Sequence, residues 1–240
     1  MALRLVLLRI GKHRQTRYTE PLFCSTYPEE AALPQQLTKL DDLPQVGGLD
    51  DSPRGRVLRA AAYLFHLQGY SRTTVREIAQ VVGIQSGSLF HHFRSKEDIL
   101  CAVMTEAIIY NLAQMQHAVD QVESTYAQLR GLVIAELQSI NGDTGVAMAV
   151  LVHEWTLLPK PRQAELLEMR QQYEKIWFEV LKRAHHERLI QQDPVLWRRL
   201  IGGAISWSIT WYKPTGRLSL TQVADQLLQM TLQNLPAQSG

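Results

Sequence analysis

The sequence predicts an all-α protein in which three short helices precede a larger helical bundle. From Pro53 onward apolar residues recur at helical spacing, and Gly, Asn, Asp and Pro clusters interrupt them about once per helix length. No stretch of strand alternation with turn chemistry competes, and no internal repeat is visible. The chain has 240 residues, 45% of them hydrophobic and 20% charged, enough for a sizeable core of ordinary soluble composition.

Residues 1–52 are expected to form a disordered or loosely attached extension. Between Thr19 and Asp51 lie Pro21, Pro28, Pro34, Pro44 and the pair Gly47-Gly48, with no sustained period. The apolar start is too short to span a bilayer, is broken by Arg4 and Arg9, and runs into Lys12-His13-Arg14 instead of a small-residue cleavage site. Cys24 and Cys101 are the only cysteines, too few for a disulfide scaffold or a zinc site, so a reducing cytoplasm is expected.

Residues 53–98 should form a compact head. Val57, Ala60, Ala61, Leu64 and Phe65 make one apolar stripe, and Gly69 offers a left-handed stop, which predicts a first helix from Pro53 to Gln68. Thr74 followed by Glu77 is a capping box, so a second helix starts there, turns Ile78, Ala79 and Val82 inward, and ends at Gly83. Ser86 is expected to cap a short third helix, with Leu89 and Phe93 pointing into the core and Gly87, Ser88 and His91 facing away. Helix, tight turn and short helix in this order form a helix-turn-helix, the arrangement that places its second helix in the major groove of DNA.

Charge supports this reading. Arg54, Arg56, Arg59, Arg72, Arg76, Arg94 and Lys96 stand against Glu77 alone between residues 54 and 96, whereas the whole chain is only +2. Affinity for duplex DNA comes largely from counterion release, so this segregation is the footprint expected of a phosphate-binding face. A basic arm carrying Lys12, Arg14 and Arg17 could add a backbone or groove contact.

Residues Ile78-Ala79, Gly83-Ile84, Gly87, Leu89, Phe90, His92-Phe93, Lys96-Glu97 and Leu100 resemble the signature of the TetR-like (tetracycline-repressor-like) transcription regulators over roughly fifty residues. The resemblance implies a homodimer with one DNA-binding head per subunit and a helical ligand-binding and dimerisation domain behind it. In that family a tyrosine usually stands where this chain has Phe90, and its hydroxyl commonly touches phosphate. The DNA contacts expected here are Thr74, Arg76, Gln85, Ser86, Gly87, Ser88, Phe90, His91, His92 and Lys96. Ser88 and His91 read bases, Arg76 reaches a base or phosphate, and Thr74, His92 and Lys96 hold phosphates.

Residues 99–240 form the expected body. Ser95 and Asp98 cap a long fourth helix with Leu100, Val103, Met104, Ala107, Ile108, Leu112 and Met115 as its buried stripe. Further helices are expected over 126–140, 144–158, 162–188, 194–212 and 220–235. The last two carry the dimer interface, through Ile201-Gly202-Gly203-Ala204-Ile205-Ser206-Trp207 and the edge Val223, Leu227, Met230.

A small-molecule effector is expected inside this body, lined by Met104, Met148, Trp155, Arg170, Tyr173, Trp177, Trp207 and Trp211. The segment from Trp207 to Ser219 resembles the helix junction of a family branch that responds to acyl-CoA thioesters, and Arg162, Arg170 and Lys175 are the cations available for CoA phosphates.

Catalysis and a metal cofactor are not expected. His153-Glu154 lacks a second histidine, no nucleophile elbow or phosphate-cradling loop occurs, and the adjacent pairs His91-His92 and His185-His186 diverge around a helix. The function expected is a ligand-responsive repressor of a pseudo-palindromic operator, with no membrane partner. The alternative is an architectural or partner-recruiting DNA-binding protein with no small ligand.

Overall fold

A computed structural model describes residues 39–233, and these contain nine α-helices, three short 3-10 turns and no strand. In chain order the helices are α1 Pro53–Gln68, α2 Val75–Val82, α3 Ser86–Leu89, α4 Lys96–Asp120, α5 Thr125–Asn141, α6 Gly145–Glu154, α7 Lys160–His186, α8 Pro194–Trp207 and α9 Leu220–Thr231. The expected basic arm lies outside the described residues, and the last helix, expected to run to Leu235, ends at Thr231, where Leu232 turns to an extended conformation.

Local chemistry sets the helix ends. Ser52 accepts from the Gly55 N–H to start α1, and Ser95 accepts from the Asp98 N–H to start α4. Thr74 and Glu77 complete a reciprocal capping box on α2, and Gly83 ends that helix at φ 78° and ψ 32°, a left-handed conformation that glycine adopts without steric cost. One expected cap is corrected: Ser86 is the first residue of α3, Gln85 precedes it, and no side chain caps that helix. The helices expected over 144–158 and 194–212 each end in a 3-10 turn, at Trp155–Leu157 and Ser208–Thr210.

The apolar interior falls into two clusters, and α4 runs through both. The first joins α1, α2 and α3 to Ile99, Leu100, Val103, Met104 and Ala107 of α4, to Ala147, Val150 and Leu151 of α6, and to Leu158 and Leu166. The second joins Met115 to α5, the later half of α7, α8 and α9, with Trp177 fully buried at its centre. A head boundary at residue 98 therefore falls inside a shared core, and α1 is covered on nearly every side. Arg130 ties α5 to α9 through a two-point pair with Asp225 at 2.5 and 3.0 Å.

The last part of the expected loose extension is packed. Leu40, Leu43 and Val46 are buried in the first core, each burial contributing about 2 kcal/mol. The Gly47 N–H donates to the Asp143 carbonyl at 3.3 Å, and Gly47 and Gly48 lie against Tyr110 of α4. Residues 39–52 thus form a strap across α1, α4 and the α5–α6 connection.

Candidate nucleic-acid interface

The exposed edge of the head is built by two helices and the turn between them. Leu89 and Phe93 are buried, as their spacing predicts, and this fixes α3 against α2. Gln85, Gly87, His91 and His92 are then exposed, with Ser86 and Ser88 half-buried between them. A Cβ on Gly87 would meet nothing within 4 Å, so the fold does not demand glycine there. Its lack of a side chain leaves the backbone open to close approach by a base edge. Phe90 is 58% exposed on the same edge, an apolar ring suited to a sugar or thymine methyl where a hydroxyl is absent.

The basic side chains divide into two groups. Arg54 pairs with Glu106 at 2.7 Å and lies over the Phe93 ring, and Arg59 is buried beside Asp51. Arg56 donates to the Val82 carbonyl at 3.4 Å and Arg72 to the Gln68 carbonyl at 2.7 Å. Arg76 and Arg94 are exposed and have no hydrogen-bond partner among the described residues. Arg94 contributes to the local charge but is not among the DNA contacts expected from the sequence. Its exposure beside the His91-His92 pair is what sequence periodicity could not supply.

Two expected phosphate ligands are occupied within the protein. The Lys96 ammonium donates to the carbonyls of Tyr70 and Thr73, both at 2.8 Å, which makes it first a tether of the α1–α2 turn. The Thr74 hydroxyl donates to Glu77 at 2.8 Å and accepts from the Glu77 N–H at 3.2 Å. These bonds, led by the donation from the Thr74 backbone N–H, hold the Glu77 carboxyl below its usual pKa.

The head is coupled to the body through the same turn. The Tyr70 N–H donates to Glu154 at the end of α6, at 2.9 Å. Asp98 at the start of α4 faces Arg162 at the start of α7, at 3.6 Å.

The residues expected to line an effector pocket are not brought together. Met104 is buried in the first core, and Met148 and Trp155 pack against it. Trp177 is buried in the second core with Tyr173 against it, and Arg170 faces Glu174 at 3.7 Å. Trp207 is 58% exposed, because the inner side of α8 is taken by Trp197, Ile201 and Ile205, and Trp211, beyond the 3-10 turn that follows α8, is 50% exposed. The three cations expected for CoA phosphates are also dispersed. Arg162 pairs with Asp98 and Glu165, Arg170 turns inward, and Lys175 rims a surface groove of about 430 Å³ between α4 and α7.

Along α8, Leu196, Leu200, Gly203 and Trp207 form an exposed stripe at helical spacing, and Met230 of α9 is 82% exposed. A Cβ on Gly203 would meet nothing within 4 Å. Among the described residues no helix is long and apolar enough to cross a membrane, and no group of three or more His, Cys, Asp or Glu could hold a metal ion.

Comparison with known proteins gives a consistent result. Residues 57–103 match the family described as bacterial regulatory proteins, tetR family, and residues 122–235 match the tetracyclin repressor-like C-terminal domain. The HTH-type transcriptional repressor KstR2 of Mycobacterium tuberculosis is 32% identical over 190 residues, covering 78% of this chain and 95% of that one. Its structure, described as a ketosteroid transcriptional regulator, superposes with a TM-score of 0.69 over 79% of this chain and all of that one, at 30% identity. A crystal structure described as the superantigen PfiT is 46% identical, with a TM-score of 0.68 over 77% of this chain and 98% of that one. The regulator AibR, solved with isovaleryl coenzyme A and operator DNA, is 25% identical, with a TM-score of 0.67 over 75% of this chain and 98% of that one. Head geometry, helical body and family matches over both agree: the chain belongs to the TetR family of bacterial regulatory proteins, which are DNA-binding transcriptional regulators.

Proposed function

We propose that this protein is a homodimeric repressor that holds a pseudo-palindromic operator in two successive major grooves and releases it when a small apolar or acyl-CoA-like effector enters the body. The observation that carries the reading is the exposed α3 edge, where Gln85, Gly87 and His91 are unobstructed and Arg76 and Arg94 flank them with free guanidinium groups. Ser88 and His91 read base edges, and Arg94 and His92 serve phosphates. The exposed stripe Leu196, Leu200, Gly203 and Trp207 supports pairing through α8 and α9.

Release travels through the body's contact with the head. An effector that favours a shifted α6 or α4 pulls on the Glu154–Tyr70 and Arg162–Asp98 links, and the operator-competent spacing of the heads loses population. Relatives support both halves, since KstR2 is described as a repressor and AibR is seen with a CoA thioester and operator DNA. Such a regulator works in the cytoplasm.

Selection from random duplex DNA tests the reading. Enrichment of a two-half-site sequence, with half-sites about one helical turn apart or a multiple of it, supports it. Release of that sequence by isovaleryl coenzyme A or a ketosteroid supports the effector half. No enrichment overturns the DNA half, and selected DNA that neither probe releases favours an architectural protein. The 46% identity to PfiT brings a second reading, a superantigen activity. Purified protein that leaves T cells unstimulated removes it.

A further inference from the structure

Among the described residues seven buried side-chain nitrogen or oxygen atoms have no hydrogen-bond partner, and four of them meet at one place in the second core. They are Nε and Nη1 of Arg198, Oε2 of Glu136 and the indole nitrogen of Trp177. Arg198 comes from α8 and is 5% exposed. Its Nη2 alone is engaged, lying 3.2 Å from Glu136 of α5 and 3.3 Å from Glu174 of α7. The guanidinium carbon sits 4.4 Å from the Trp177 ring centroid and 5.8 Å from that of Tyr173, so aromatic faces hold the group in place.

A buried donor without an acceptor is costly, and a natural core keeps few of them. Here the unpaired atoms belong to one rigid group in the middle of a domain whose family takes up small molecules. Gly202, one turn along α8, lets the guanidinium lie close against its own helix, since a Cβ there would stand 2.7 Å from Nη1.

The chemistry of the cluster selects what could satisfy it. Three of the four unpaired atoms are donors, so a group that satisfies them is an acceptor. Arg198 and Arg170 already balance Glu136 and Glu174, and the Glu136 carboxylate stands beside the unpaired donors. A second anion would be repelled at low dielectric, whereas a neutral carbonyl oxygen would not.

We propose that Arg198, held by Glu136 and Trp177, is the recognition point for a ketone-type carbonyl oxygen on an otherwise apolar effector. This rests on the effector-responsive reading given above and names the chemical class the body takes. The surrounding apolar residues of α5, α7 and α8 accept the hydrocarbon part, and Arg198 fixes its orientation.

Three probes with one apolar skeleton test it on the whole dimer: 4-tert-butylcyclohexanone, the matching carboxylate and the matching ammonium. Binding is followed by nitrogen-15 NMR of the Arg198 Nε–H, assigned by its loss in Arg198→Met. The ketone should bind at least tenfold more tightly than either charged probe and move the Arg198 and Trp177 N–H resonances. In the double variant Arg198→Met with Glu136→Met, where apolar side chains replace the pair, that preference should fall to within twofold. Should the ketone at millimolar concentration leave the Arg198 resonance unmoved, or a charged probe bind as tightly, the cluster is structural and the proposal fails. Ketone binding that leaves operator affinity unchanged would keep the site and remove the effector-responsive reading instead.

Discussion

Lys96 reaches back across the head to Tyr70. Its ammonium donates to the Tyr70 carbonyl at 2.8 Å and lies 4.1 Å from the centroid of the same residue's ring, while a second bond goes to the Thr73 carbonyl. Glu154 holds the Tyr70 N–H from the other side, so the α1–α2 turn is pinned both to the start of α4 and to the end of α6.

Replacing Lys96 with Ala should therefore act on the fold before it acts on DNA. Two charge-assisted bonds are lost, and chemical denaturation should report a stability loss of about 2 kcal/mol. The dependence of operator affinity on salt should keep its slope. A slope shallower by about 0.9 would instead make Lys96 a phosphate ligand in the complex.

Arg76 and Arg94 should separate by the same measurement. Arg94→Ala should weaken specific and random DNA alike and reduce the salt slope by about 0.9. Arg76→Ala should cost about 1 to 3 kcal/mol on the operator and relax one position of the selected site. Equal losses on both kinds of DNA for Arg76→Ala would place it on the backbone.

The parts legible in the sequence are those whose physics is local. Thr74 with Glu77, Gly83 and Ser95 lie within a few residues of the ends they set, and Leu89 with Phe93 define the inward side of α3. The strap was not legible, because Leu40, Leu43 and Val46 sit among prolines and glycines with too short a run to show a period. Lys96 finds its carbonyls 26 and 23 residues away, and Arg198 finds Glu136 at a separation of 62. No spacing rule reaches so far. Composition offers Trp207 and Trp211 as pocket walls, but only the packing of α8 shows which side of that helix Trp207 takes, and the 3-10 turn after α8 carries Trp211 off the helix.

The capping box should make α2 sensitive to acid. Hydrogen bonds from Thr74 hold the Glu77 carboxyl below its usual pKa of 4.5, so its contribution is complete above that value and is lost as pH falls through the lower, folded-state one. Glu77→Gln should be less stable than the parent at neutral pH, and the difference should shrink below about pH 4.5 in denaturant titrations. Thr74→Ala should cost about 1 kcal/mol at neutral pH. A Glu77→Gln deficit that stays constant down to about pH 3 would show that the carboxylate contributes nothing.

Two glycines should respond in opposite ways. Gly48 has φ +85°, and a Cβ would stand 2.7 Å from Cβ of Tyr110, so Gly48→Ala should cost about 2 kcal/mol and raise hydrogen exchange in residues 39–52. Gly87 is helical with open space around it. Gly87→Ala should leave stability unchanged or raise it by about 0.5 kcal/mol, while operator affinity falls. Unchanged stability in Gly48→Ala would mean that the strap does not hold the head to the body.

The exposed stripe on α8 carries the prediction that joins fold to function. Leu200 is 62% exposed between Leu196 and Trp207, with Gly203 allowing close approach of a facing helix. An aspartate there would bring two like charges together across a two-fold axis, so Leu200→Asp should give a monomer in light scattering with unchanged helix content. Each head then binds alone. Loss of the linked second contact should weaken operator binding by about 100-fold or more, and affinity for a single half-site should remain. A variant that stays dimeric, or a monomer that keeps full operator affinity, would move the pairing surface elsewhere or remove the need for it.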